Sequence, residues 1–406
     1  MKKDILFLCQ FFYPSRLSSA ILPYETAKAL VQEGFTVDVI TGKVKRKDVK
    51  TPKKEEINGI NIKRLTYYQG KSKKKIPRLI SYATYILANY INIFKFKKYK
   101  VIIVYSNPPI LPKIALLANK WFGTKIIYVS YDVYPEISNA IGATKKNGLI
   151  SKSMNRINKK LFMRSSAVIA LSNEMKEFMI QNRDVDPNII HVIPNWHEDL
   201  IPKNNDFEIS HIFSSFKRKD DMIVSYFGNL GPLQNVEAII ETAKIIKEIN
   251  PNIKFLIAGH GSKVNYVLNE IIEYELTNVC FHNFLEGDDF KSAIKLTDIN
   301  IVSLIDEATG LAVPSKTYSY YMSGKPVIAL MNKNTDIYKE IKKNNAGTVI
   351  SNNSVKRLVE ELLHLYENPA KVLEMGTKAR NLYLNKYTVD INTRKYCNLA
   401  KEILKE

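Results

Sequence analysis

Cysteine is scarce in this chain of 406 residues: Cys9, Cys280 and Cys397 stand far apart, with no Cys-x-x-Cys pair and no histidine at ligand spacing. That pattern excludes a disulfide framework and a zinc site. It fits thiols buried as small hydrophobes in a reducing compartment. Repeats of solenoid period and low-complexity blocks are also missing, so neither a stacked-repeat protein nor a disordered one is indicated. The opening MKKDILFLCQFF starts like a secretory leader. Its apolar run is short, however, Asp4 interrupts it, and no small-residue cleavage site follows. A buried first strand is the better reading.

Acid is also in short supply. Lys and Arg number 60 against 40 Asp and Glu, a net charge of +20. Between Thr41 and Lys100, 18 Lys or Arg face only Asp48, Glu55 and Glu56, so +15 of the excess lies there. Such a basic region, 43–100, suits nucleic acid, an acidic substrate or an anionic membrane. Within it, Lys71, Lys73, Lys74, Lys75 and Arg78 precede an uncharged segment from Leu79 to Phe94, and Lys95, Lys97, Lys98 and Lys100 follow it. As a helix that segment spans about 24 Å, short of the roughly 30 Å hydrocarbon core of a bilayer. It would carry Ala83, Ile86, Leu87, Tyr90, Ile91 and Phe94 on one face, suited to lying in a membrane interface or to packing in a core. No recognised nucleic-acid module appears and no aromatic stacking platform accompanies the charge, so nucleic acid is not expected as a partner.

Short unbroken apolar runs alternate with helical patterns along the whole chain. In the first half these are DILFLCQ, FTVDVIT, GINIKRL, KVIIVYS, KIIYVS, AVIAL and NIIHVI, with a basic loop after the second. After a polar stretch from Glu198 to Asp221 a second series begins: MIVSYFG, KFLIAG, NVCFHN, DINIVSLI and PVIAL. Alternation of this kind predicts α/β architecture with parallel sheets covered on both faces. Two doubly wound domains are expected, residues 1–200 and 201–387, with a last helix, 388–406, packing back on the first. Their ligand loops belong at the carboxyl ends of the strands, facing each other across a cleft.

Four strand-end motifs could carry chemistry. In YFGNLGPLQN, Gly228 and Gly231 flank Asn229 and Leu230, so backbone N–H groups can approach an anion; a glycine turn is also ordinary geometry. In IAGHGSK, His260 between Gly259 and Gly261 suits a base or ribose, or a loop histidine. In VPSKTYSYYMSGKPV, Pro314 fixes the entry and Ser315, a good N-cap, opens a helix whose first turn carries Lys316, a cation opposed by the macrodipole unless an anion sits there. In YVSYDVYPE, Asp132 and Glu136 with Tyr131 and Tyr134 emerge from a strand end, placed to hold a hydroxyl or to cap the next helix. The Asp184-Val185-Asp186 triplet precedes a proline and reads as turn chemistry, so no metal is expected there.

Taken in order, FFYP, SNPPILPKIALLA, YDVYPE, IHVIPNW, YFGNLG, FLIAGHG, VPSKTYSYYMSGKPVIA and NNAGTVI resemble the family 4 glycosyltransferases of the GT-B fold, closest to the bacterial branch that builds O-antigen, capsule and related surface polysaccharides. The resemblance runs over nearly the whole chain. It implies a retaining, metal-independent transferase without a cofactor, and the basic region adds the expectation that it works at the inner face of the cell membrane. The donor, a UDP-sugar carrying an N-acetylated hexose, would be bound by the second domain, and the acceptor, a polyprenyl-diphosphate-linked saccharide, by the first. Carried over by position, Gly228, Asn229, Gly231, Ser315, Lys316, Thr317 and Ser319 would lie at the diphosphate and ribose, and Gly259, His260, Gly261, Phe284 and Leu285 near the base. Asp132, Lys316 and Glu307 would be catalytic, and Arg16, Ser18, Ser19 and Tyr131 would meet the acceptor. The sequence departs from the family at Asn229 and Gln234, where Arg and Lys are usual, and at Ser319, where a ribose-binding Glu is usual. A nucleotide-sugar epimerase of similar fold and a non-catalytic partner of another transferase are the competing expectations.

Overall fold

The computed structural model describes residues 2–44, 51–70, 75–201, 210–213 and 216–405. The chain forms two compact units. One comprises Met1–Asn195, Gly310–Val313 and Val389–Glu406, the other Trp196–Thr309 and Pro314–Thr388. Part of the polar stretch from Glu198 to Asp221 lies outside the described residues, as do Lys71, Lys73 and Lys74.

The first unit is built on eight strands: β1 (Lys3–Leu8), β2 (Val37–Gly42), β3 (Lys54–Ile57), β4 (Ile60–Leu65), β5 (Tyr99–Tyr105), β6 (Lys125–Ser130), β7 (Ala167–Ala170) and β8 (Ile190–Val192). Their order in the sheet is β3-β4-β2-β1-β5-β6-β7-β8. All neighbours pair in parallel except β3 with β4. The central strands read as unbroken apolar runs because helices cover both faces; Ile5, Leu6, Phe7 and Leu8 have no exposed surface. Among the described residues six helices lie between the strands: α1 (Ser18–Gln32), α2 (Lys75–Tyr90), α3 (Pro112–Phe122), α4 (Glu136–Ala140), α5 (Leu149–Arg164) and α6 (Asn173–Arg183).

Strand β3 was not expected, since its sequence KEEI falls in the basic loop and buries no apolar side chain completely. It forms because Asn58 and Gly59 both adopt positive φ, 50° and 75°, the geometry of a two-residue hairpin turn that Asn-Gly favours. Helix α2 divides its faces. Tyr85 and Asn89 are fully buried, the Tyr85 hydroxyl donating to Cys9 O at 2.7 Å. Ile76, Leu79, Ile80, Leu87 and Tyr90 stay exposed, with Ile91 and Phe94 beyond the helix end, while Ile86 of the expected face is half-buried. Among the described residues no helix is long and apolar enough to cross a membrane.

The second unit repeats the scheme with six parallel strands: β9 (Met222–Asn229), β10 (Ile253–His260), β11 (Val279–His282), β12 (Ile299–Ser303), β13 (Val327–Leu330) and β14 (Gly347–Ile350), ordered β11-β10-β9-β12-β13-β14. Its helices are α7 (Val236–Ile249), α8 (Val264–Glu273), α9 (Gly287–Leu296), α10 (Lys316–Met322), α11 (Asp336–Asn344), α12 (Val355–Glu367) and α13 (Pro369–Lys386). Helix α14 (Val389–Lys405) belongs to the first unit, where it packs along α1. The order of connection reverses between β9 and β12, and ligand crevices of doubly wound sheets form at such a point. The loops after these two strands are therefore where chemistry is sought.

Candidate active site

In the second unit the loop after β9 is folded by close backbone approach. Strands β9 and β10 pair to their last residues, Gly228 beside Gly259 and Asn229 beside His260. A Cβ on Gly259 would lie 1.8 Å from Gly228 O, and one on Gly261, at φ +150°, 2.2 Å from Leu230 O. Leu230 N–H donates to His260 O at 2.8 Å, closing the two loops together. Gln234, almost fully buried, accepts from Gly231 N–H at 3.1 Å and from the Asn229 amide at 3.2 Å. These two residues thus organise the loop as neutral hydrogen-bonding groups. Lys263 is drawn to Gln234 O and to Glu237, both at 2.7 Å. Replacing Gly259 by Ala is expected to cost about 3 kcal/mol through the forced overlap, read as a lower melting midpoint in thermal unfolding.

Lys316 lies under this loop. Its Nζ stands 3.6 Å from the centroid of the Tyr226 ring, and Gly228 leaves only van der Waals room for it, an added Cβ meeting Cε at 3.4 Å and Nζ at 3.6 Å. The residue as a whole is half-buried, but the ammonium nitrogen is enclosed and, among the described residues, bonds to nothing. Burial holds its pKa well below the usual lysine value. The ring face supplies a cation–π attraction, which offsets only part of the desolvation of an ammonium. An enclosed cation without a counter-charge, at the crevice of a doubly wound sheet, is suited to receiving an anion.

Tyrosines hold it in place. The Tyr320 hydroxyl, one turn beyond Lys316 on α10, accepts from Phe227 N–H at 2.8 Å and donates to Phe227 O at 3.3 Å. Tyr226 O–H donates to Asn229 O at 2.9 Å. Neither tyrosine stood out in the sequence, although Tyr320 at i+4 from Lys316 and Tyr226 two residues before Gly228 share their faces.

Ser315, expected to cap the helix through its hydroxyl, has helical backbone angles and makes no capping bond. The chain enters through a tight turn instead, Thr317 N–H donating to Pro314 O at 3.1 Å. The Thr317 and Ser319 hydroxyls donate to Pro314 O and Lys316 O, at 2.8 and 2.7 Å. Thr317 is completely buried and Ser319 nearly so. At the rim, exposed His260 and Phe284 meet edge to face, ring centroids 5.4 Å apart, with half-buried Leu285 next in sequence. Glu307 is exposed on the short turn Asp306–Ala308, whose Asp306 carboxylate accepts from the Asn352 amide at 2.9 Å.

In the first unit, Ser106 Oγ accepts from Tyr131 N–H at 3.0 Å and Asp132 N–H at 3.3 Å, which orients the loop after β6. The segment Gly310–Val313 lies against this loop: Asp132 bridges Ala312, and Val133 N–H donates to Leu311 O at 2.8 Å. Burial pushes the Asp132 carboxyl up from 3.8 to about 6. The phenols of Tyr82, Tyr128 and Tyr134 lie within its electrostatic reach, and among the described residues it forms no ion pair. Glu136 differs: it is ion-paired with Arg183 of α6, which also bonds Asn155 at 2.7 Å and Tyr134 O at 3.3 Å. One carboxylate of the YDVYPE motif is therefore structural, and the other forms no such ion pair among the described residues. The Tyr131 ring packs on Tyr105, centroids 5.1 Å apart. Arg16 and Ser18 are exposed and Ser19 half-buried where the loop after β1 enters α1. Asp186 accepts from Asn188 N–H at 2.9 Å and Asp184 closes α6 in a left-handed conformation, both as turn formers.

Residues 21–198 match the family model described as Glycosyltransferase Family 4, and residues 208–382 the one described as Glycosyl transferases group 1. The chain belongs to the family 4 glycosyltransferases. This transferase is 23% identical over 311 residues to the probable glycosyltransferase WbjE of Pseudomonas aeruginosa, covering 75% of each chain. Over 236 residues it is 26% identical to the UDP-Gal:alpha-D-GlcNAc-diphosphoundecaprenol alpha-1,3-galactosyltransferase of Escherichia coli, covering 55% of this chain and 57% of that one. Relatives of the transferase thus work in surface-glycan and polysaccharide biosynthesis. The solved structure of HepE from Anabaena, in complex with UDP and glucose, superposes with a TM-score of 0.73 at 15% identity, over 98% of this chain and all of that one. The transferase has the GT-B fold.

Proposed function

We propose that this glycosyltransferase is a retaining, metal-independent enzyme that takes a sugar from a UDP donor and passes it to a polyprenyl-diphosphate-linked saccharide at the cytoplasmic face of the cell membrane. The observation that carries the donor is the enclosed, unpartnered ammonium of Lys316 beside Gly228. In such a transfer the leaving diphosphate gains charge as the glycosidic bond breaks, and a fixed cation aimed at that charge is the effective form of stabilisation. Lys316 supplies what a bridging metal would otherwise provide. Gly228 to Gly231 cradle the phosphates, and exposed Phe284 and His260 flank the base.

Two further points favour the reading. HepE, of the same fold, holds UDP, and the Escherichia coli relative is named for a UDP-sugar donor and a lipid-diphosphate acceptor. The exposed apolar face of α2 within a strongly basic region suits an acceptor that is anionic and resides in the bilayer.

A thermal-shift panel tests the donor. A ligand that binds only the native state at about 100 times its Kd adds roughly 2.7 kcal/mol of stability. UDP and UDP-sugars are expected to raise the melting midpoint, with the largest shift from an N-acetylhexose donor. Shifts from guanosine or thymidine diphosphate sugars and none from UDP would sink the nucleotide assignment. No shift from any of them would leave a non-catalytic partner as the better account.

A further inference from the structure

The candidate site leaves unused a group of lysines around the carboxyl end of α2. Lys54 of β3 and Lys63 of β4 stand directly opposite each other in the antiparallel ladder, a placement in which like charges repel. The Lys63 ammonium donates to Asn92 Oδ1. Asn92 opens the short helix Ile93–Lys98, and its carbonyl accepts from Lys95 N–H at 3.0 Å, so Lys95 sits one tight turn from Lys63. Of the carboxylates nearby, exposed Glu56 lies two residues along β3 on the face of Lys54 and pairs with none of these lysines, and two others are engaged elsewhere. Asp38 receives Lys3 at 2.8 Å, the Tyr99 hydroxyl at 2.6 Å and Lys98 at 3.5 Å, and Glu55 is held by buried Arg64. Among the described residues Lys54, Lys63 and Lys95 form no ion pair. Burial, followed by the charges of Lys95, Lys54 and Lys98, pulls Lys63 down to about 8. A bound anion would relieve that.

Beside these lysines lies an apolar rim. Ile91 is 72% and Phe94 70% exposed, and the Phe94 ring stacks on Trp121 of α3 with centroids 6.2 Å apart. Exposed large apolar groups adjoining unpaired cations match the boundary of an anionic bilayer, where cations meet phosphate and aromatic side chains meet the upper acyl chains.

We infer that Lys54, Lys63 and Lys95 form a binding site for the headgroup phosphate of an anionic membrane lipid, with Ile91, Phe94 and Trp121 entering the acyl boundary beside it. The inference rests on the reading of a membrane-associated transferase and names the lipid chemistry that holds it. The rim argues for a lipid source over free phosphate, since a soluble anion needs no exposed Phe94.

The test is sedimentation of the full chain with phosphatidylcholine vesicles, with and without phosphatidylglycerol. The triple substitution K54Q/K63Q/K95Q is expected to weaken partition onto phosphatidylglycerol vesicles about 100-fold, roughly fivefold per cation. Changing Lys342, Lys343 and Lys356 of the second unit to Gln removes the same charge and is expected to have far less effect. Phe94→Ser is expected to weaken binding with all lysines intact. Equal losses from the two triples would overturn the site, reducing it to net charge. Vesicle binding unchanged by K54Q/K63Q/K95Q, competition by inorganic phosphate alone, or displacement by RNA would each overturn it too. Lys95→Gln alone, on an exposed turn, keeps the test sharp if the triple fails to fold. UDP-induced thermal shifts are read on every variant, so loss of vesicle binding with UDP binding retained separates failure of this site from failure of the donor reading.

Discussion

Lys316→Met is expected to slow sugar transfer roughly 10²–10³-fold while leaving the unliganded protein more resistant to unfolding. The two effects share one cause. The ammonium is enclosed against Tyr226 with no bonding partner, so the folded state disfavours its charged form and its pKa falls well below the unfolded value of 10.5. Between the two values the unfolded chain binds more protons than the folded one, so stability rises with pH across that window. A methionine of similar length keeps the packing and removes the titration, and the variant's stability advantage is expected to shrink toward pH 10.5. A diphosphate beside the ammonium has the opposite influence, favouring the charged form and raising the pKa. UDP binding is therefore expected to take up protons, visible as a binding enthalpy that depends on the buffer's ionisation heat, and the Met variant is expected to lose that dependence. Full transfer activity in Lys316→Met would remove this residue from the site.

Much of this was legible before any coordinates. Runs such as KIIYVS mark β6 to the residue, because buried strands of a parallel sheet leave strong local patterns. Lys316 stood out because a cation in a first helical turn needs a reason. What escaped notice lies in pairings between distant segments. Strand β3 carries no apolar stripe, and its signal was the Asn58-Gly59 dipeptide alone. The clamp of Tyr320 on Phe227 joins residues 93 apart, and the neutral network of Asn229 and Gln234 depends on where Gly231 N–H points. Ser315 shows the reverse error: a good capping residue makes no cap when the turn enters through Pro314. The two carboxylates of YDVYPE look alike in sequence, and only the distant Arg183 separates Glu136 from Asp132.

Asp132→Asn is the second substitution with a large expected effect. With its carboxyl raised from 3.8 to about 6 by burial, Asp132 is a group whose proton can move near neutral pH, as acid–base participation requires. If it faces the reacting sugar or acceptor, its replacement costs transfer about 10²–10⁴-fold. The acid limb near pH 6 in kcat/KM is then expected to vanish from the residual activity. The stability consequence has a definite sign. A carboxyl whose folded pKa lies above its unfolded value contributes stability that is present below about 3.8 and lost as pH rises through about 6. Above pH 6 the wild type therefore bears a penalty of up to about 3 kcal/mol, which the neutral amide of similar shape avoids. The variant is expected to match the wild type in unfolding near pH 4 and to exceed it increasingly up to pH 7. A structural role predicts the opposite, since losing a needed carboxylate would destabilise the protein at neutral pH. A less stable Asn variant at pH 7 with an unchanged acid limb would return Asp132 to the scaffold, alongside Glu136.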